Sequence, residues 1–384
     1  MTTNNSPRAV TAKALITPDG VISQPLILLN EGRIESLTTT AAHTALEGTL
    51  HLPETTLSSG FLDVHVHGAG GRDVMEGATD AIGTVAQVLA AHGTTRFLAT
   101  TVTAGVDEIL RALDTIATSI EAGPASQLAA TPIGIHLEGP FLSHNKRGVH
   151  APEKLQQPVI DLYDRFAEAA RGHIHLMTIA PELPGALELI QYVSSKGVRV
   201  SLGHSDAVAT EARAGIAAGA VSATHTFNAM RGLTQREPGM LGVVLDADKL
   251  YAELICDGIH TTPEAVRLWL RMKGLEHAIL VTDGMAATGM PDGDYLLGDM
   301  LAHVENGVAM HDGALAGSVL TMDRAVANVQ TFTGIDLPSA VRLASRNPAA
   351  MLGLPSASEW ADFNLFDDAG RRTGTILRGQ MLPT

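Results

Sequence analysis

The sequence predicts an α/β protein: a (β/α)8 TIM-like barrel carrying a small β-sandwich domain formed by both chain ends. Three observations point there. Between residues 58 and 353, short apolar runs alternate with alanine-rich amphipathic segments. Residues 1–57 and 354–384 read instead as short strands separated by turns. Histidines and carboxylates fall at the ends of the apolar runs, and the C-terminal strand ends of such a barrel are where its active site is built.

The chain opens with strands at Ala9–Ala12, Ala14–Ile16 and Gln24–Leu29, divided by the turn formers Pro18-Asp19-Gly20 and Asn30-Glu31-Gly32. Apolar and polar residues then alternate along Gly60–Gly68. That period of two places Asp63, His65 and His67 on one face of the first barrel strand. Seven further runs follow: Thr95–Thr101, Pro132–Glu138, His173–Ile179, Val198–His204, Val221–His225, Leu250–Cys256 and Ala278–Asp283. Helical segments fit between them, among them Asp80–His92, Val106–Ala122 and Ser205–Ala218. A late helix is expected from Asn347-Pro348, with Asn as cap and Pro at the first helical position. Asp362–Phe366 and Gly374–Gly379 return to strand character. The alternative is an open doubly wound sheet, but no Gly-x-Gly-x-x-Gly fingerprint follows the first strand.

Composition narrows the function classes. Of 384 residues, 45% are apolar and 17% charged, so a large core is available and global disorder is excluded. A formal net charge of −15 argues against nucleic-acid or anionic-membrane partners, which need a basic face. It leaves room for a small anionic substrate, because charges beyond about 8 Å are screened at physiological salt. The single cysteine, Cys256, provides neither an intramolecular disulfide nor a cysteine zinc cluster, and its apolar run marks it as a small core residue. Met1–Asn5 lacks the basic start and apolar run of a secretory signal, and no apolar stretch is long enough to span a bilayer. A cytoplasmic location is therefore the expectation.

In a barrel, His65, His67, Glu138, His204, His225 and Asp283 would converge in one bowl at the strand ends. Any one of these histidines is more simply satisfied by a backbone carbonyl. Together they form a nitrogen and oxygen donor set for a divalent ion, with zinc, iron, manganese and cobalt all compatible.

The motifs Gly60–Gly68, His136-Leu137-Glu138-Gly139-Pro140-Phe141, Leu202-Gly203-His204-Ser205, Thr224-His225-Thr226-Phe227-Asn228-Ala229-Met230 and Val281-Thr282-Asp283-Gly284 resemble the amidohydrolase superfamily. Within it they resemble the N-acetylglucosamine-6-phosphate deacetylases, across almost the whole chain. The resemblance implies that Glu138, His204 and His225 hold one ion, and that His65 and His67 hold a second with Glu138 bridging. One or two divalent ions per chain follow, zinc foremost. Hydantoinases and dihydroorotases differ in bridging their ions with a carboxylated lysine on the fourth strand, and His173–Ile179 contains no lysine.

The expected reaction is hydrolysis of the N-acetyl group of N-acetylglucosamine 6-phosphate to glucosamine 6-phosphate and acetate. An ion makes it feasible by lowering the pKa of a water to roughly 7 and polarising the carbonyl. Asp283 is the expected proton carrier, because no other strand end offers a base; the plainer reading of Thr282-Asp283-Gly284 is a turn or cap. By resemblance His150, with Val149 beside it, helps polarise the acetyl carbonyl. Asn228, Ala229 and His260 bind the sugar phosphate, Arg236 clamps the phosphate, and Leu315-Ala316-Gly317-Ser318 closes over the sugar. Without the resemblance, Arg236 reads as a surface arginine paired with Glu237. A homodimer is implied in the same way.

Rival readings are a deacetylase of another N-acetylated sugar such as galactosamine 6-phosphate, a deaminase, and a barrel retained as a binding module. A deaminase needs a glutamate near the fifth-strand histidine, whereas Ser205-Asp206-Ala207 follows His204. His136 is either a support for the ligands or a satisfied core histidine. His173 and His175 receive no role, and Met230, Met285 and Met290 read as packing.

Overall fold

The computed structural model describes residues 7–39, 47–355 and 358–383. Eight strands from both chain ends pair into one mixed sheet. Strand Ala9–Thr17 runs continuously where two short strands were expected, and it pairs in parallel with Thr49–Ser59. The C-terminal strand Phe363–Phe366 then adds antiparallel to Thr49–Ser59, so the two chain ends share one core of Val10, Ile27, Leu57, Phe363 and Ile376. At Gly60 the chain leaves this sheet for the barrel. A Cβ there would lie 2.2 Å from Thr95 Oγ1, so only glycine permits the close crossing.

The barrel strands are Phe61–Val66, Thr94–Thr101, Thr131–Glu138, Ile174–Ile179, Arg199–Leu202, Ser222–Ala223, Tyr251–Ile255 and Ala278–Val281, all parallel and in sequence order. Their apolar side chains are enclosed on both faces, as a helix-covered parallel sheet requires. The eighth strand meets the first without a regular ladder. A buried clamp closes the seam: Thr282 Oγ1 donates to Asp63 Oδ2 at 2.5 Å, and Asp283 N donates to His65 O at 2.9 Å. The Asp63 carboxyl is pushed up to about 6 by burial, against the hydrogen bonds from Thr282 and His65. No helix among the described residues is long and apolar enough to cross a membrane.

Helix Val106–Ala122 matches its expected range, while the next expected helix starts late, at Ala209. The delay has a local cause. Ser205 Oγ and Asp206 N both donate to Glu182, and these bonds hold residues 205–208 as a loop. Similarly, helix Arg346–Leu352 starts one residue before Asn347, with Ser345 at the N-cap position but making no side-chain cap, and the Asn347 amide is taken by the carbonyls of Leu275 and Ala278.

A four-stranded antiparallel sheet, Gly293–Leu297, Met300–Glu305, Val308–His311 and Ala314–Leu315, follows the eighth barrel strand and was not foreseen. Its turn chemistry was nevertheless legible. Asn306-Gly307 and Asp312-Gly313 both take positive φ and close two-residue hairpins.

Asp323 ties helix Met322–Thr333 to the rest of the fold through His92 and Arg372, both at 3.3 Å. Burial opposes its charge, but hydrogen bonds from His92 and Thr321 win and hold the carboxyl at about 2. The folded value lies below the unfolded 3.8. The contribution is therefore fully present above pH ~4 and is lost as pH falls through about 2. Asp323→Asn is expected to cost ~2 kcal/mol at pH 7. In urea unfolding the gap to wild type should close between pH 4 and 2; a gap independent of pH would contradict the assignment.

Candidate metal centre and active site

Glu138 ends the third barrel strand and is the hub of the site. Its Oε1 lies 3.3 Å from His204 Nε2, 3.3 Å from His225 Nε2 and 3.4 Å from His65 Nε2. Its Oε2 lies 3.2 Å from His67 Nε2. Two buried clusters thus share this carboxylate, His65/His67/Glu138 and Glu138/His204/His225. All five residues are at most 5% exposed.

The outer ring nitrogens set the tautomers. His67 Nδ1 faces the Thr100 carbonyl at 2.9 Å and His204 Nδ1 faces the Lys146 carbonyl at 3.0 Å. A carbonyl only accepts, so both rings carry a proton on Nδ1 and turn Nε2 toward Glu138. His204 and His225 bring their Nε2 atoms to 3.0 Å of each other, while Glu138 Oε1 is buried with no hydrogen-bond partner. Imidazole nitrogens converging on a buried, unpartnered carboxylate oxygen fit a divalent ion. The electrostatics agree. Burial disfavours a charged His67, yet hydrogen bonds to Asp283 and Glu138 raise it to about 9. Burial likewise opposes the Glu138 charge, but His65, His204 and His225 hold its carboxyl well below the usual range. The pocket is built to stabilise positive charge.

Asp283 follows the eighth strand, with Oδ1 3.2 Å from His67 Nε2 and 3.5 Å from His65 Nε2. Burial would neutralise it, but the charge of His65 and the contact with His67 hold its carboxyl well below the usual range. Its backbone is pinned on both sides, donating to His65 O and accepting from Ser318 N at 2.7 Å. His204, His225, Ala229 and Asp283 all take left-handed backbone, at φ 48, 29, 50 and 51°. Such conformations cost ~1–3 kcal/mol each and gather where function fixes the geometry.

His150 stands over the same carboxylate, with Nε2 3.9 Å from Glu138 Oε2. The Thr103 N–H donates to its Nδ1 at 3.3 Å, so the ring proton sits on Nε2 and faces the cavity. Burial, then the charge of His204, lowers His150 to about 3, which keeps it a neutral donor. His260 is anchored through Nδ1 to Asp257 Oδ2 at 2.6 Å. Asp257 in turn accepts from the backbone N–H groups of Ile259 and His260.

His67, Glu138, His150, His204, His225, His260 and Asp283 border a cavity of about 300 Å³, which also takes in Val149, Asn228, Ala229 and Leu315. Arg236 is not brought to it within a single chain. It is exposed, in a turn closed by the Thr234 N–H donating to Glu237 O at 3.0 Å. The cation that does line the cavity is Lys146, half-buried and beside Asn145. Both were missed, although a lysine four residues before His150 was the available signal. His136 proves satisfied, with Nδ1 and Nε2 against the hydroxyls of Thr100 and Thr178 at 3.4 and 2.8 Å, and its ring supports His65 edge-on.

A family model described as the amidohydrolase family matches residues 56–381. An N-acetylglucosamine-6-phosphate deacetylase of Lysinibacillus sphaericus is 38% identical over 304 residues, 79% of this chain and 78% of that one. The chain belongs to the amidohydrolase family. Within the family it groups with the N-acetylglucosamine-6-phosphate deacetylases. An N-acetylgalactosamine-6-phosphate deacetylase of Escherichia coli is 39% identical over 300 residues, 78% of each chain. Among solved amidohydrolase structures, a mutant N-acetyl-D-glucosamine-6-phosphate deacetylase of Mycobacterium smegmatis, in complex with N-acetyl-D-glucosamine-6-phosphate, superposes with a TM-score of 0.91. It is 34% identical, over 99% of this chain and 100% of that one.

Proposed function

We propose that this chain hydrolyses the N-acetyl group of N-acetylglucosamine 6-phosphate, giving glucosamine 6-phosphate and acetate. The observation that carries the reading is the placement of Asp283 against the Glu138-centred donor set, with the Nε2–H of His150 facing the same cavity. His65, His67, Glu138, His204 and His225 would hold one or two divalent ions, zinc being the best match to this imidazole-rich set. When bound, such an ion supplies Lewis acidity at the acetyl carbonyl and lowers the pKa of a water to roughly 7.

The remaining work falls to the chain. His150 donates its Nε2–H to the acetyl oxygen as negative charge develops there. Asp283 takes a proton from the attacking water as the water oxygen bonds to the acetyl carbon. It returns that proton to the amine nitrogen as the C–N bond breaks. Asn228 and the backbone of Ala229 meet the sugar phosphate, with Lys146 as the local cation and His260 as a further donor. Val149 and Leu315 wall the sugar from water. By family resemblance the protein is a cytoplasmic homodimer. Arg236, exposed on its own chain, would meet substrate only across a subunit contact, so those two expectations stand together.

Acetate release from the phosphorylated sugar, its galactosamine epimer and the unphosphorylated sugar tests the substrate. Charge-assisted contacts to the phosphate predict kcat/KM at least ~100-fold above that for the unphosphorylated sugar. Equal rates would remove the phosphate site. Faster turnover of the epimer would reassign the sugar and leave the chemistry in place.

A further inference from the structure

Glu253 is a buried carboxylate beside the centre that the proposed chemistry leaves without a task. It lies on barrel strand Tyr251–Ile255 and is fully enclosed. Its Oε1 accepts from Ser222 Oγ at 3.3 Å. Its Oε2 has no hydrogen-bond partner and lies 3.6 Å from His65 Nδ1, which also has none. Among the described residues no lysine or arginine pairs with it. Two buried, complementary groups therefore face each other at just beyond hydrogen-bond length, an arrangement too costly to leave unused.

The other nitrogen of His65 faces the centre, 3.3 Å from His67 Nε2, 3.4 Å from Glu138 Oε1 and 3.5 Å from Asp283 Oδ1. His65 thus repeats the arrangement of His67 and His204, whose Nδ1 atoms back onto carbonyls. Its backing group is a carboxylate, which makes the imidazole a more basic ligand than a carbonyl does. Charge points the same way. Glu138, Asp283 and Glu253 place three carboxylates around the rings, more than one divalent ion neutralises, and Glu253 lies on the His65 side.

We propose that Glu253 is a positioning residue: it holds His65 as the Nδ1–H tautomer and so sets the affinity of the His65/His67 site for its ion. The Glu138/His204/His225 site is left nearly unchanged. The inference rests on the metal-centre reading and is independent of which amide is hydrolysed.

The test titrates chelator-treated, full-length wild type, Glu253→Gln and Glu253→Asp with Zn2+, counting bound ions per chain by mass spectrometry and following thermal melting. Wild type should bind two ions. Both variants should keep one site at wild-type affinity and weaken the other by ~10–100-fold. The aspartate retains the charge but withdraws it from His65, so it decides the matter if the glutamine variant does not melt cooperatively. Nitrogen-15 shifts of zinc-loaded wild type, which need no variant, should place the His65 proton on Nδ1. Unchanged affinity at both sites in the variants, a single ion in wild type, or the His65 proton on Nε2 would each overturn the proposal. Two bound ions without sugar turnover would sink the deacetylase reading alone.

Discussion

Glu138→Gln is expected to empty both halves of the metal centre and lower kcat/KM by at least ~10³-fold. The residue is common to the two buried clusters, and both of its oxygens lie within 3.4 Å of their imidazoles. Gln keeps the volume but exchanges the shared anion for a neutral amide, whose NH2 cannot ligate an ion. The fall corresponds to the several kcal/mol of transition-state stabilisation that a bound ion supplies. Ion content and turnover should be measured on the same sample. A variant with full ion content and wild-type turnover would remove Glu138 from the centre.

Asp283→Asn should separate proton transfer from ion binding. The amide preserves the shape of the side chain, and the backbone bonds that pin residue 283 do not involve it. Loss of a positioned acid–base group predicts kcat lower by ~10³-fold, within the usual 10²–10⁴ range. KM and the number of bound ions should stay close to wild type. A change confined to KM would make Asp283 a substrate contact. Loss of ions would make its contacts with His65 and His67 the dominant role, at 3.5 and 3.2 Å.

The barrel and its donor set were legible because both leave local signals. Period-two alternation fixes which way Asp63, His65 and His67 point, and the C-terminal strand ends collect the remaining ligands wherever the barrel closes. What the sequence hid depends on contacts between distant segments. The late start at Ala209 follows from the reach of Glu182 to Ser205 and Asp206. The clamp between Asp63 and Thr282 joins residues 219 positions apart. Glu253 sat in an apolar run where a carboxylate was anomalous, but only the fold shows that it faces His65. Arg236 marks the opposite limit. Its chemistry suits a phosphate, yet its turn leaves it outside its own chain's cavity.

The proposed function places hydrolysis of an acetyl amide at a metal centre built around Glu138. Its most direct test strips the protein with chelator and follows acetate release from N-acetylglucosamine 6-phosphate as Zn2+ is returned in measured equivalents. Negligible turnover is expected in the stripped protein, with recovery that saturates at one or two equivalents per chain. Full turnover by the stripped protein, or none with both sites filled, would contradict it.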